Sequence, residues 1–583
     1  MAPSDTLLAP PPQEEKGEGK QSPAFPLVSF LWAARAGVSQ WLILPLVLMA
    51  VGLFRWAVSL WGYSGFQVPP MHGDFEAQRH WMEITTHLPL AKWYTYDLQY
   101  WAGCSERCIY PYLPFIAELS WPPADLAACL VAPPLTQPGS PWMPPEVLRT
   151  PRLKVYMRAT VVVSEYFVFI PAVVNFLRRY TRMQGVHAWS ASIALVAILL
   201  QPSNILIDHG HFQYNTVMLG LVVASLDAIL AGRMLWACIF FVGALGFKQM
   251  ALYYAPVMFA YLLGVCTFPR INIPRLLLLL CCWPPLMVGA SNVEARKAFA
   301  SSPVPPLLQA LPIQMDKDSV TYGLLFQLTQ IIHRVFPFAR GLFEDKVANA
   351  WCAIHTFYKL TRFDATLLQR ASLGATLASI VVPCAIIFRH PRASLLLPAL
   401  SAVSWGFFLF SFQVHEKSVL LPLLPMTLLL AGNGGLSKET RAWVGWANVL
   451  GSWTMYPLLK RDELRVPYIV MTLLWAYLLG LPPTSFETYR SRASPEDSNA
   501  HFEPGTLTTL LHFGFYLAMI AWHILEAYVP PPPGKPDLWV VLNALIGAGG
   551  FGISYMWCMW KLYTQCRQIS RQANEEESQK KKQ

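Results

Sequence analysis

The sequence predicts an all-α polytopic membrane protein, on three observations. Of its 583 residues, 54% are hydrophobic and only 13% charged, against about 25% charged in a soluble domain. Apolar runs of about 20 residues, the length that crosses a hydrocarbon core, recur along the whole chain. The basic residues cluster in short loops between those runs, as at cytoplasmic membrane edges. The net charge of +10 therefore speaks for bilayer topology and against a nucleic-acid partner.

Taken in order, residues 1–27 are polar and rich in Pro, Glu, Lys and Gly, and read as a disordered cytosolic tail ahead of a first span that is retained. Candidate spans in the first half are 41–61, 158–177, 188–207, 214–232, 234–248, 250–267 and 275–291. The second half offers 370–388, 393–412, 418–432, 442–459, 466–482, 507–528 and 537–561, about fourteen in all. Even parity puts both termini on one side. Arg178-Arg179-Tyr180-Thr181-Arg182, Arg233, the stretch 269–275 and Arg389-His390-Pro391-Arg392 are basic without acids, so that side is cytosolic. Segments 62–157, 208–213, 292–369 and 413–417 then face the lumen. The apolar stretch 113–131 is read as not crossing, because a span there would invert every later loop against the charge rule.

The chain closes Lys580-Lys581-Lys582-Gln583. Lysines third and fourth from the end look like a dilysine retrieval signal of endoplasmic-reticulum membrane proteins, read on the cytosolic side. Residues 566–583 are accordingly a cytosolic tail and 28–565 a single transmembrane domain. The 11 cysteines include no CxxC pair and offer no zinc site.

Several strings interrupt the apolar pattern. Gly73 to Thr85 has helical spacing: Ala77, Trp81, Ile84 and Leu88 share one stripe, while Glu76, His80, Glu83 and His87 share another. Such a helix would lie flat on the membrane surface with Asp74 near its start, where free N–H groups favour an ionised carboxyl. Asp208-His209-Gly210-His211-Phe212-Gln213-Tyr214-Asn215 stands at the end of a span, as capping groups at the water line or as metal ligands. Gln413-Val414-His415-Glu416-Lys417-Ser418 places charges at a membrane boundary, where they are expensive unless paired or used. Lys248 lies between two apolar runs, and Arg340 opens a charged string through Asn349.

Gly73-Asp74-Phe75-Glu76-Ala77-Gln78-Arg79-His80-Trp81 closely resembles the first-lumenal-loop motif of the endoplasmic-reticulum glucosyltransferases of asparagine-linked glycosylation that add glucose to the lipid-linked oligosaccharide, the wording being that of the first-glucose enzymes. The strings around His209, Lys248, Arg340 and His415 resemble others of that family. The resemblance implies the GT-C membrane glycosyltransferase fold with lumenal interfacial helices. It implies transfer of glucose from dolichyl phosphate glucose to a dolichyl-diphosphate high-mannose oligosaccharide, in an inverting α-1,3 reaction at the endoplasmic-reticulum lumen. No cofactor or metal is implied. Asp74 takes the role of catalytic base. Glu76, Arg79, His80 and Trp81 line the substrates; His209, His211, Gln213, Tyr214 and Asn215 hydrogen-bond sugar or phosphate. His415, Glu416 and Lys417 belong to a lipid-phosphate motif, and Lys248 and Arg340 would contact the donor phosphate.

One stretch departs from the family. After Leu98-Gln99-Tyr100-Trp101 a Gly-Leu-Asp-Tyr-Pro-Pro-like motif should follow, yet the chain runs Ala-Gly-Cys-Ser-Glu-Arg-Cys from Ala102, and resemblance returns only around Pro151 to Thr160. A frame shifted by two bases across Gly139 to Glu146 permits a Leu-Asp-Ala-Ser-Arg-Gly string of the family's kind. Residues 102–150 are read as a retained intron or frame error. Rivals stay open: the sister enzyme adding the second glucose, an inactive product lacking the Asp-Tyr-Pro-Pro segment, and a polytopic lipid or sugar transporter.

Overall fold

The structure, a computed structural model, describes residues 25–32, 40–66, 73–78 except 76, 151–268, 271–272, scattered positions between 304 and 329, 346–412, 414–490 and 503–582. The anomalous stretch 102–150, the apolar stretch 113–131, the candidate span 275–291 and most of the N-terminal tail lie outside the described residues. Among the described residues there are helices and turns but no strand.

A short helix, α1 (Pro26–Trp32), precedes α2 (Gln40–Ser59). The next rod is α3 (Pro151–Ser164), continued through a π turn at Glu165–Phe169 into α4 (Ile170–Met183). Pro171 accounts for the widened turn: it has no N–H for the carbonyl four residues back and its ring crowds that carbonyl. Helix α5 (Ala188–Leu199) breaks at Gln201 before Pro202 and resumes as a short turn that ends in a second π turn, Leu206–Phe212. Helices α6 (Asn215–Leu230), α7 (Met234–Phe247) and α8 (Ala255–Thr267) follow. After two short helices, Pro306–Gln309 and Ala350–Phe357, the later part includes α9 (Ala365–Arg389), α10 (Leu396–Phe410), α11 (Leu420–Leu428), α12 (Lys438–Thr454), α13 (Tyr456–Arg461), α14 (Arg465–Leu479), α15 (Thr506–Tyr528) and α16 (Leu538–Lys582).

Among the described residues six helical rods are long and apolar enough to cross a membrane: Lys154–Met183, Ala188–Phe212, Ala365–Arg389, Ala393–Phe410, Thr506–Tyr528 and Leu538–Gln572. Five shorter apolar helices accompany them, among them α6, α7, α8 and α14.

Apolar side chains fill the core and also cover the outer faces. Leu53, Phe167, Leu373, Val381, Leu510 and Leu517 are exposed on the outer faces, and the centre also holds a polar ladder. Gln201 donates to Asn448 Oδ1 at 2.7 Å, Asn448 donates to Thr427 Oγ1 at 2.9 Å, and Ser203 meets Ser452 at 3.0 Å. In hydrocarbon, polar side chains belong inside, satisfied by one another, and apolar ones can face the solvent. Large indoles close the remaining space: Trp405 stacks on Phe551 at 4.8 Å and Trp446 on His512 at 4.4 Å.

Candidate active site

At one end of the bundle five segments meet: the turn after α2 with residues 73–78, the second π turn with the start of α6, the end of α7, the turn before α11, and the end of α13. Aromatic packing places the first. Phe75, buried, stacks on Tyr63 at 4.0 Å and packs 4.9 Å from Phe212. Gly73 lies so close to the Ser64 carbonyl that a Cβ would collide with it, which only glycine avoids. The Ala77 N–H donates to the Gly73 carbonyl at 3.0 Å, so Asp74 sits in the first turn of a helix.

Three side chains converge on one oxygen of Asp74. Oδ2 lies 2.7 Å from His211 Nε2, accepts from Gln213 Nε2 at 2.6 Å, and accepts from Lys417 Nζ at 2.5 Å. Among the described residues no donor reaches Oδ1, and the Asp74 side chain keeps 23% exposure. Burial alone would raise the Asp74 carboxyl; Lys417 and then His211 outweigh it and hold the group well below the ordinary carboxylate range. Asp74 is thus an ionised carboxylate with one oxygen anchored and, among the described residues, the other without a donor.

The donors are themselves held. Gln213 Oε1 accepts from Asn215 Nδ2 at 2.8 Å and from Lys248 Nζ at 3.0 Å, which leaves its NH₂ end for Asp74. Lys248 also donates to Asn215 Oδ1 at 2.5 Å. Asp208 accepts from Asn215 Nδ2 at 2.8 Å and from the Thr216 N–H at 2.6 Å, satisfying the first turn of α6. Lys417 rides on the 3₁₀ turn Glu416–Val419 that leads into α11.

The second π turn carries two histidines, and residues two apart on a helical turn face nearly opposite ways. His211 faces Asp74, with Asp462 against its Nδ1. His209 faces the interior, with Nε2 2.6 Å from Glu165 Oε2. Glu165 is also bidentate with Arg55, at 2.8 and 2.7 Å. Arg158 donates to the carbonyls of His209, Gly210 (2.8 Å) and Gly62 (2.9 Å), and its guanidinium lies 5.3 Å from the centre of the Phe212 ring. These contacts hold Phe212 at φ +83°, a left-handed conformation worth about 1–3 kcal/mol of strain and concentrated in proteins at functional sites.

Of the residues singled out in the sequence, Asp74, His211, Gln213, Asn215, Lys248 and Lys417 come together in this cluster. His209 is turned to Glu165, and Tyr214 is buried with its hydroxyl 2.7 Å from Thr160 Oγ1. His415 precedes the 3₁₀ turn, its N–H donating to Ser418 Oγ at 3.3 Å, and Glu416 opens that turn. Glu76, Arg79, His80, Trp81 and Arg340 lie outside the described residues. Among the described residues no group of three His, Cys, Asp or Glu is placed to hold a metal ion.

Sequence reasoning missed Arg55, Arg158, Glu165 and Asp462. The first three carry a signal, being charged residues within candidate spans. Asp462 carries none: Lys460-Arg461-Asp462-Glu463 reads as a solvated hairpin.

Comparison with known proteins matches residues 51–560 to the ALG6, ALG8 glycosyltransferase family. A "probable dolichyl pyrophosphate Man9GlcNAc2 alpha-1,3-glucosyltransferase" of Schizosaccharomyces pombe is 38% identical over 92% of this chain and 95% of its own length. The Saccharomyces cerevisiae protein named "dolichyl pyrophosphate Man9GlcNAc2 alpha-1,3-glucosyltransferase" is 38% identical over 97% of this chain and 98% of its own. The Gallus gallus protein of that name is 34% identical over 86% and 93%.

Proposed function

The chain belongs to the ALG6, ALG8 glycosyltransferase family, and from that premise we propose that it transfers glucose from dolichyl phosphate glucose to dolichyl pyrophosphate Man9GlcNAc2, forming an α-1,3 bond with inversion. The observation that carries the reading is Asp74 itself: one oxygen gripped by His211, Gln213 and Lys417, the other without a donor among the described residues. An acceptor mannose hydroxyl placed at Oδ1 gives its proton to Asp74 as its oxygen attacks the glucose anomeric carbon. The bond from that carbon to the phosphate oxygen breaks, and its electron pair leaves with dolichyl phosphate. A phosphate leaving group is weakly basic, so one carboxylate suffices where glycoside hydrolysis needs two. Lys417, occupied by Asp74, tunes the base; Lys248, behind Gln213, is a source of positive field for the departing phosphate.

The setting proposed is the endoplasmic-reticulum membrane, with a GT-C fold of about fourteen spans, both termini cytosolic and the site lumenal. Three of the segments that the charge rule assigns to the lumen, 62–157, 208–213 and 413–417, contribute residues to the cluster around Asp74, while Arg179, which the rule assigns to the cytosol, pairs with Asp227 at the other end of α6.

The test uses microsomes carrying this chain, synthetic dolichyl phosphate glucose and two acceptors. Glucose should pass to the Man9GlcNAc2 lipid and not to its monoglucosylated form; transfer only to the latter would assign the second-glucose reaction. The chain as written and a form with residues 102–150 corrected to the shifted frame should be compared, and the transcript sequenced across that stretch. A transcript that encodes 102–150 as written removes the frame-error explanation.

A further inference from the structure

Asp462, at the end of α13, is 3% exposed and has its carboxylate against His211 Nδ1. Gly62 packs on the Asp462 carbonyl with no room for a Cβ, which fixes that turn against the start of the Asp74 loop. His211 is thus gripped at both ring nitrogens, Nδ1 by Asp462 and Nε2 by Asp74 at 2.7 Å. An ionised carboxylate only accepts. A neutral imidazole has a single N–H, so one of these contacts would set lone pair against lone pair in a site where His211 is 2% exposed. Lys417 Nζ, 3.2 Å from Nε2, could donate to a neutral ring, but Nε2 lies nearer the Asp74 oxygen than the ammonium. That order of distances suits an N–H directed at the carboxylate.

We propose that His211 is held as the imidazolium by Asp74 and Asp462 together, and that Asp462 is a positioning residue whose charge keeps Nε2–H on Asp74 Oδ2 and so reserves Oδ1 for the acceptor. The role in transfer rests on the reading of Asp74 as the base; the charge state of His211 does not. The charges facing His211 are Asp74 from the first loop, Asp462 from α13 and Lys417 from the turn before α11, with Asp208 on its own π turn and Lys248, Arg158 and Glu165 behind. Two carboxylates, an imidazolium and an ammonium make a neutral core at rest. When Asp74 takes the acceptor's proton, that core gains one positive charge as the leaving phosphate gains a negative one, so proton transfer and bond breaking support each other. A neutral His211 would leave the resting core at one net negative charge, set against an anionic donor.

The experiment is nitrogen NMR of the full chain in lipid nanodiscs with ¹⁵N-labelled histidine, His211 being identified by the signals lost in His211→Gln. At about pH 7.5, where a free imidazole is mostly neutral, both ring nitrogens should be protonated, and Asp462→Asn should leave one of them bare. In parallel, Asp462→Asn should lower kcat for glucosyl transfer about 10- to 100-fold with KM within about twofold. Asp462→Glu should recover part of that loss, and the Asp462→Asn/His211→Gln double variant should be no slower than the slower single one. A neutral His211 ring in the unaltered chain overturns the proposal, as does an unchanged ring in Asp462→Asn. Losses that add in the double variant, or an Asp462→Asn protein that is merely less stable with kcat intact, overturn the positioning role. If neither the chain as written nor its frame-corrected form transfers glucose while His211 is doubly protonated, the assigned reaction fails and the charge assignment stands.

Discussion

Two ion clusters hang on the same π turn and differ in exposure and in how the carboxylate is held. The inner one, Glu165 with Arg55 and His209, is sealed, its side chains 1% exposed. The outer one, Asp74 with His211, Lys417 and Asp462, pairs the same chemical types but leaves the Asp74 side chain 23% exposed. Each has carboxylate, imidazole and cation within hydrogen-bond reach. In the inner cluster both oxygens of the carboxylate are taken, by Arg55 Nε and His209 on one and Arg55 Nη2 on the other. In the outer cluster a single oxygen takes three donors. A saturated buried ion pair is a structural joint, whereas a carboxylate held by one oxygen and open at the other can do chemistry.

The largest effect should separate the two clusters outright. Asp74→Asn should lower glucosyl transfer about 1,000-fold, within the range for loss of a general base, while the thermal unfolding midpoint of the detergent-solubilised protein stays within a few degrees. A transfer rate near that of the unaltered chain would discard Asp74 as the base. Glu165→Ala should do the reverse, costing about 3–5 kcal/mol of stability because Arg55 is left buried and unpaired. It would be read as loss of monodisperse protein in size-exclusion chromatography, and a normal yield would show that the inner cluster is no structural joint.

Lys417→Gln sharpens the comparison from the outer side. It removes the leading influence that holds the Asp74 carboxyl down, so the upward push of burial is exposed. A carboxylate acting as the proposed base works ionised, so activity should fall as pH drops through its pKa. The acid limb of the rate profile should therefore move to higher pH, with about a 10- to 100-fold loss at neutral pH if the ammonium contact is worth a charged hydrogen bond. A profile unmoved on its acid side would mean that Lys417 does not set the ionisation of Asp74. The smallest effect is reserved for Tyr214→Phe, which deletes the hydroxyl bonded to Thr160 beside both clusters. It should cost about 1 kcal/mol of stability and leave kcat within about twofold; a larger fall in kcat would move Tyr214 into the substrate site.

Much of the site was legible because its parts are local strings. Asp74, His211, Gln213, Asn215, Lys248 and Lys417 all interrupt or border apolar runs, and a polar residue at a membrane boundary is conspicuous. The same reasoning extends to Arg55, Arg158 and Glu165, whose charges inside candidate spans mark them once the spans are drawn. His209 shows the limit: it shares a string with His211, yet a turn of helix sends it to a different partner.

By itself the chain determined the solvent of the protein, its helical class and the set of polar strings that need a reason, since hydropathy and spacing act over about 20 residues. Only the tertiary structure decided which oxygen of Asp74 is occupied, which histidine meets it, and that Asp462, 251 residues beyond His211 in sequence, completes the cluster. Those choices depend on side-chain direction and on contacts between distant helices. Hydrophobic patterning reports burial along a segment and is blind to the partner across it.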